Sequence, residues 1–563
     1  MKNKKGITLI SLVVTIIVLI ILAAISINLI LGDNGLITKA KRTQEATEQE
    51  NAKEKLELEL GKLLIEKETG TAYNDEILNN YLTEKGFLVK DDTVILNGWK
   101  FRIDKSIPKI IENLGKNEED EEIQNIITIS TKESLESFRN QVNKGISYEG
   151  KTIKLMNDIN LNEGKYVKNE DGSISFNSDA EQWTPIGTIE NPFKGTFDGQ
   201  GHTIKGIYIN DETKNTQGFI GQNTGGIVKN LTLDEGTIIA GYRIGGATGR
   251  TNDGTIENVI NKMNISSKSV NDKNESIVGG ISGSAIGNFK NCINYGNIEG
   301  VGVEVGGICG YVEKYTEDIS NCANLCDYVK TTGSSGKNYS YIGGIVGYSK
   351  NANIEKCYNI ADITAIKSSA GGIVGQTTGT INQCYNTGNI QSLGVNDLGN
   401  NTIGGIVGYT GNTVCDCYNT GNVTGTSKIL GGIVGSNVKI DGVTIKQELK
   451  NCYNVGLVGT NKIAYRGGVV GAGASTSNCY YLTGQATYGV GASTTTTGSN
   501  TNAVSKTKAQ LQSIASTLGD NWVSDGKIKN ESGDWVDNVD DNGNIIYINN
   551  NYPILKWQIK WCN

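Results

Sequence analysis

Apolar residues run without a charge from Ile7 to Leu31, broken only by Thr8, Ser11, Thr15, Ser26 and Asn28. About 20 apolar residues cross a bilayer as a helix, so this run of 25 is long enough to span with some tilt. Three lysines within Met1 to Lys5 precede it, which holds the short N-terminus in the cytoplasm and sends the remaining chain outside. The pattern then turns helical. Lys39 to Glu68 is rich in Ala, Glu, Lys and Leu; its first half is polar all round, and Leu56, Leu60, Leu63 and Leu64 form an apolar face near its end. A second helix is expected over Asn74 to Gly86, and Thr93 to Ile103 reads as a hairpin turning at Asn97-Gly98. Charged residues from Lys116 to Glu122 mark a linker. Ser130 to Asn143 is amphipathic, with Ser130 or Thr131 to cap it and Leu135 and Phe138 facing inward.

Beyond Gly218 one module dominates. It opens on Gly-Gly-Ile-Val-Gly or a close variant, with its second glycine at Gly218, Gly246, Gly280, Gly307, Gly344, Gly372, Gly405, Gly432 and Gly468. A core of 27 or 28 residues recurs, lengthened in some copies by insertions of 5 to 10 such as Leu393 to Asn401 and Asn437 to Glu448. Short β-rich pieces separated by Gly or Asn turns make one coil of a solenoid. Stacked at about 4.8 Å per coil, nine or ten coils form a rod about 45 Å long.

Inside the module, Cys is followed two positions later by Asn in Cys292/Asn294, Cys322/Asn324, Cys357/Asn359, Cys384/Asn386, Cys417/Asn419 and Cys452/Asn454. A separation of two places both on one face of a strand. If Cys points inward so does Asn, and stacked amides can then bond from coil to coil. The position between faces outward, giving a row of Tyr358, Tyr385, Tyr418, Tyr453 and Tyr480 as a candidate ligand stripe, with mutual stacking as its structural alternative. The Ile three residues before Cys384 cannot share the inward face on a flat strand, so a bend lies between them at a place the sequence does not fix.

Composition narrows the chemistry. The chain has 563 residues with 73 Gly, 4 Pro and a net charge of −7, which gives a nucleic-acid partner no support. With a single histidine, His202, poly-histidine metal sites are excluded. Eleven cysteines, most at one repeat position, read as reduced core residues, and Cys415/Cys417 alone is a weak zinc signal. Asp198 and His202 are the one tempting catalytic pair, better explained as a turn residue and a structural side chain. Asp253, Glu299, Glu355, Asp362 and Asp416 share no repeat position, so convergent acids for glycan cleavage are not visible. No enzyme, cofactor or metal site is expected.

Two resemblances add to this. Lys5-Gly6-Ile7-Thr8-Leu9-Ile10 and the apolar tail through Ile25 resemble the prepilin-type leader of type IV pilins. The resemblance implies cleavage by a prepilin peptidase after Gly6 and methylation of Ile7. Ser11 stands where that family has Glu, and a hydroxyl cannot supply the charge pair used in filament assembly. The module itself resembles the GLUG motif of bacterial surface proteins. Trp183-Thr184-Pro185-Ile186-Gly187 and Phe193 to Ile204 look like the segment that precedes such arrays, so the likeness covers about residues 126 to 481. It implies a right-handed parallel β-helix resembling pectate lyase, found in adhesins and in non-catalytic regions of surface proteases.

The expected organisation is therefore a mainly β chain: leader and transmembrane helix (1–35), helical stalk and small α+β pilin-like domain (36–115), acidic linker (116–125), N-terminal cap and first coils (126–217), repeat β-helix (218–481), and a C-terminal loop and cap (482–563). Gly484 to Asn502 reads as loop, Lys508 to Leu518 as a helix and Tyr552 to Trp557 as a closing strand. The expected function is membrane-anchored adhesion or display at the cell surface, binding a host or bacterial glycan or protein. The alternative is a pilin-like minor subunit of a type IV pilus or secretion filament, and a polysaccharide-degrading β-helix enzyme ranks below both.

Overall fold

The computed structural model describes residues 36–561 except for 70–72, 97, 117–124, 269–275, 302, 314–317, 334–339, 395–400, 438–447, 460–464, 474, 492–498 and 500–501. The apolar run, with Gly6, Ile7 and Ser11, lies outside the described residues, as does most of the acidic linker and most of the insertions Leu393 to Asn401 and Asn437 to Glu448. Among the described residues, no helix is long and apolar enough to cross a membrane. The chain divides into two compact units, Met1–Ile126 and Ile127–Asn563.

In the first unit the helix Leu36–Glu68 presents Ala52, Leu56, Leu60 and Leu63 to a core shared with Leu78, Leu82, Phe87, Val94, Trp99 and Phe101. A second helix, Asp75–Glu84, is capped by Asn74, whose side chain accepts the Ile77 N–H. Four antiparallel strands follow as a meander: Leu88–Lys90, Thr93–Leu96, Trp99–Asp104 and Lys109–Lys116. The pairing of Leu96 with Trp99 confirms the tight hairpin. Glu59, packed near this core, accepts hydrogen bonds from Lys62 and Tyr81, which hold its carboxyl below the usual range and push the Tyr81 phenol up to about 12.

The second unit is a parallel β-solenoid of about ten turns. One turn is represented by Ser369–Gly371, Val374–Thr377, Ile381–Asn382, Tyr385–Asn386 and Ile390–Leu393. Equivalent strands pair in parallel and in register, so like residues stack: Val346, Val374, Val407, Val434 and Val470 form one column, and Tyr358, Tyr385, Tyr418, Tyr453 and Tyr480 another. The inward columns of Ile, Val, Leu and Cys make one continuous apolar core. At the first turn, the helix Lys132–Asn143 closes the core with Leu135, Phe138 and Val142; Thr131 is its cap, accepting from the Ser134 N–H.

The bend that the sequence left open is a left-handed residue directly before each Cys. Asn291, Asn321, Lys356, Gln383, Asp416, Asn451 and Asn478 have φ between 51° and 54°. Asn and Asp enter this region at lower cost than other side-chain-bearing residues, which accounts for five of the seven. The bend lets the Ile strand and the Cys strand both aim inward across a corner.

Candidate functional site

The Asn residues of the module face the interior and form the expected ladder. Asn261, Asn294, Asn324, Asn359, Asn386, Asn419 and Asn454 are linked by Nδ2-to-Oδ1 hydrogen bonds, each 2.8 Å long, from every turn to the next. Most also donate to a backbone carbonyl two residues on, as Asn386 does to Gly388 at 2.7 Å. The amides are thus bonded from turn to turn along the column. The second glycine of the module lies against this ladder. A β-carbon at Gly344, Gly372 or Gly405 would overlap the amides of Asn359, Asn386 or Asn419 and the glycine carbonyl of the following turn. The Gly-Gly sequence and the buried Asn are therefore two halves of one packing arrangement.

Beside the amides runs a column of thiols: Cys292, Cys322, Cys357, Cys384, Cys417, Cys452 and Cys479, all buried and none in a disulfide. Burial pushes the Cys322, Cys357, Cys384, Cys417 and Cys452 thiols well above their ordinary range. Such thiols are not nucleophiles near neutral pH, and they act as small apolar groups.

The Tyr row points away from the core, as its alternation requires, but it is not the open stripe that the sequence suggested. Neighbouring rings stack at 4.8 Å (Tyr358/Tyr385), 4.9 Å (Tyr385/Tyr418) and 5.2 Å (Tyr418/Tyr453), with planes within 9° of parallel. The C-terminal segment folds back along them. Tyr418 and Tyr453 are 1% and 0% exposed, enclosed by Leu511, Ile514, Leu518, Trp522, Tyr552 and Leu555. Trp557 lies 5.8 Å from the Tyr385 ring and 6.2 Å from Tyr358, and Tyr480 packs at the other end of the same cluster. The phenols bond into the covering segment: Gln558 Nε2 donates to Tyr418, Asn549 Nδ2 donates to Tyr453, and Tyr453 donates to the Pro553 carbonyl. The residues expected to close the end of the rod thus form a side strap. It comprises two short helices, Lys508–Gln512 and Ala515–Leu518, the antiparallel pair Trp522–Val523 and Ile554–Leu555, and a 3-10 turn, Lys556–Trp561.

Asp198 and His202 do not form a pair. Asp198 is buried at the foot of a second, outer ladder: Asn230 Nδ2 donates to it at 3.0 Å, Asn258 donates to Asn230, and Asn291 to Asn258. It also accepts the Gln200 N–H and faces Lys229 at 3.4 Å. Burial would raise its pKa, and these hydrogen bonds and the lysine outweigh that, leaving it low. His202 Nδ1 sits 3.1 Å from Asp158 instead. The scattered acids have their own roles: Glu299 pairs with Lys330, Glu355 with Lys356, and Asp362 accepts the Asn389 N–H. Asp416 is the one whose function the sequence did not reveal, since it anchors the strap.

Glycine-spaced parallel turns with an internal amide ladder define a repeat β-solenoid. Residues 338–364 match the family described as the GLUG motif. Part of the chain is 30% identical, over 141 residues, to a protein of Evansella cellulosilytica named "Putative Gly-rich membrane protein"; the match covers 24% of this chain. Another part is 33% identical over 86 residues, 15% of the chain, to Halomucin of Haloquadratum walsbyi. The matched stretches span 14% and 1% of those two relatives. Among solved structures, "a putative immunoglobulin A1 protease from Bacteroides ovatus" aligns over 77% of this chain and 92% of its own, at 16% identity and a TM-score of 0.31.

Proposed function

We propose that the chain is a membrane-anchored adhesion or display protein of the cell surface, with the solenoid as a non-catalytic rod. The observation that carries this reading is the use to which the polar side chains of the turns are put. The inner Asn column, the outer Asp198–Asn291 column and the Tyr row bond to neighbouring turns or to the strap, which suits a rod that maintains register. The GLUG match and the membrane designation of the Evansella relative favour the surface location. Basic residues before the apolar run of 7–31 favour an N-terminal anchor with the rod outside. Protease treatment of intact cells tests the location. The rod should be shaved from the surface, and its retention inside protected cells would overturn the reading.

The leader-like residues Gly6 and Ile7 favour a second reading, a pilin-like minor subunit processed by a prepilin peptidase. Mass analysis of the native N-terminus distinguishes the two. A chain starting at methylated Ile7 supports the filament-associated form, and an intact Met1 supports a simple signal anchor. Glycan cleavage that is abolished by Asp198→Asn without loss of folding would restore an enzymatic reading.

A further inference from the structure

Tyr418 and Tyr453 of the tyrosine row are covered by the strap, and a different concave surface stands open at the other end of the solenoid. Beside the first turns there is a cleft of about 490 Å³, within the range of about 300–1,000 Å³ typical of small-ligand sites. One wall is the segment around Trp183, Pro185 and Ile189; the other is the later half of the strand Tyr208–Gln217, the first strand of its sheet.

Both walls are rigid. Asn143, at the end of the capping helix, donates to the Pro185 carbonyl at 3.0 Å and accepts the Gly187 N–H at 2.7 Å. Asn191 donates to the Asn143 carbonyl and accepts, through its own carbonyl, the Thr188 N–H. Trp183 is fixed by its indole N–H on the Phe219 carbonyl, by stacking on Phe219 at 5.7 Å and by the Arg139 guanidinium 4.8 Å from its ring. Opposite, Thr216 is held at φ 57°, a strained position for a β-branched residue, and the Gln217 amide folds back onto the Asn215 carbonyl at 2.7 Å. A cleft held open by bonded walls needs no ordering on ligand binding.

The lining selects the ligand class. Amides and hydroxyls from Gln182, Thr188, Asn215 and Gln217 stand beside apolar Pro185 and Ile189, the latter 62% exposed at the rim. Lys214 is opposed by Asp211 and Glu190, so no strong field of either sign favours an ionic ligand. An added peptide strand is disfavoured as well, because the register of the edge strand shifts between Asp211 and Asn215 and charged residues occupy it.

We propose that this cleft binds a neutral saccharide of one or two rings, with the amides and hydroxyls on its hydroxyl groups and Pro185 and Ile189 against its apolar face. This deepens the adhesion reading and rests on it. Calorimetric titration of the full chain with maltose, cellobiose, lactose and chitobiose tests it. Binding of at least one sugar is expected, weakened at least about tenfold by Ile189→Ala or Gln217→Ala with unchanged thermal unfolding. Binding by neither variant nor wild type, or equal binding by all, overturns the assignment. Protease shaving of cells carrying the same variants reads the surface location separately, so failure of the cleft is distinguishable from failure of the adhesion reading.

Discussion

The indole N–H of Trp522 donates to the carboxylate of Asp416 across 3.0 Å of space and 106 residues of sequence. Asn521 Nδ2 donates to the other oxygen at 2.9 Å, and Asn451 to the first. Asp416 thus serves two structures at once. Its left-handed backbone turns the corner before Cys417, and its side chain receives the strap. The strap in turn buries the tyrosines of successive turns, so the last part of the rod and the C-terminus are stabilised together.

Removing the indole should release the strap before the rod unfolds. Trp522→Ala deletes a buried aromatic and one of the three donors to the Asp416 carboxylate, which keeps Asn521 and Asn451, a loss of about 3–5 kcal/mol from truncation. Limited proteolysis is expected to cut first within 507–561 in the variant, with the turns up to Leu482 resistant. Simultaneous digestion of both regions would show that strap and rod unfold as one unit.

Tyr453→Phe probes the same interface more gently. The phenol donates to the Pro553 carbonyl at 2.5 Å and accepts from Asn549 at 2.8 Å, and without it these two buried partners keep only their mutual bond, Asn549 Nδ2 to the Pro553 carbonyl at 3.3 Å. Losing both bonds to the phenol costs about 1–3 kcal/mol. Chemical denaturation should register that loss, whereas Tyr480→Phe, whose hydroxyl bonds the nearby Asn478 side chain in a half-buried site, should change little.

Within the rod, Asn386→Ala should be more damaging than Asn261→Ala. The central substitution severs two inter-turn bonds and frees the Gly388 carbonyl, while the one at the start of the ladder severs one inter-turn bond together with its two local bonds to Met263. Each buried group left unpaired costs about 1–3 kcal/mol, and the methyl leaves a void besides. Equal destabilisation of the two variants in urea would show that the ladder is not cooperative.

Gly372→Ala tests the interlock between glycine and amide. The new β-carbon collides with the Asn386 side chain and with the Gly405 carbonyl, and overpacking of this kind costs about 1–3 kcal/mol. In an Asn386→Ala background the clash with the amide group is relieved while those with the residue 386 β-carbon and the Gly405 carbonyl remain, so the glycine substitution should cost less there than in the wild type. A double-mutant cycle showing simple additivity would contradict the interlock.

Much of this was legible in the chain because repetition turns a weak local pattern into a strong one. The two-residue offset of Cys384 and Asn386 fixes a shared face, and its recurrence fixes the stacking. The corner before each Cys was harder, because Lys356 and Gln383 occupy it as well as Asn and no single residue type marks it. The strap was hidden for a different reason. Leu511, Ile514, Leu518 and Trp522 keep a helical spacing that marks an apolar face but not what it covers, and Gln558 meets Tyr418 across 140 residues, a contact that no local signal encodes. Alternation marks the outward direction of the Tyr row, and of the two readings open for it the ring stacking is what the structure shows, beneath a strap that alternation does not encode. The cleft beside the first turns joins residues around 185 to residues around 215 in the same non-local way.

The buried thiol column predicts a specific alkaline weakness. Cys322, Cys357, Cys384, Cys417 and Cys452 are pushed well above their ordinary range by burial, whereas in the unfolded chain they titrate near pH 8.5. Above that pH the unfolded chain binds fewer protons than the folded one, so stability is complete below about pH 8.5 and falls as pH rises further. Each such thiol contributes a slope of about 1.4 kcal/mol per pH unit, and the slopes of several add. Thermal unfolding temperature should therefore be flat from pH 6 to 8 and drop steeply between pH 9 and 10.5. Cys384→Ala should shallow that drop even though it lowers stability at pH 7, because the two effects have separate origins: a cavity in one case and a titrating group in the other. An unchanged alkaline slope in this variant would mean that the thiols are not the titrating groups.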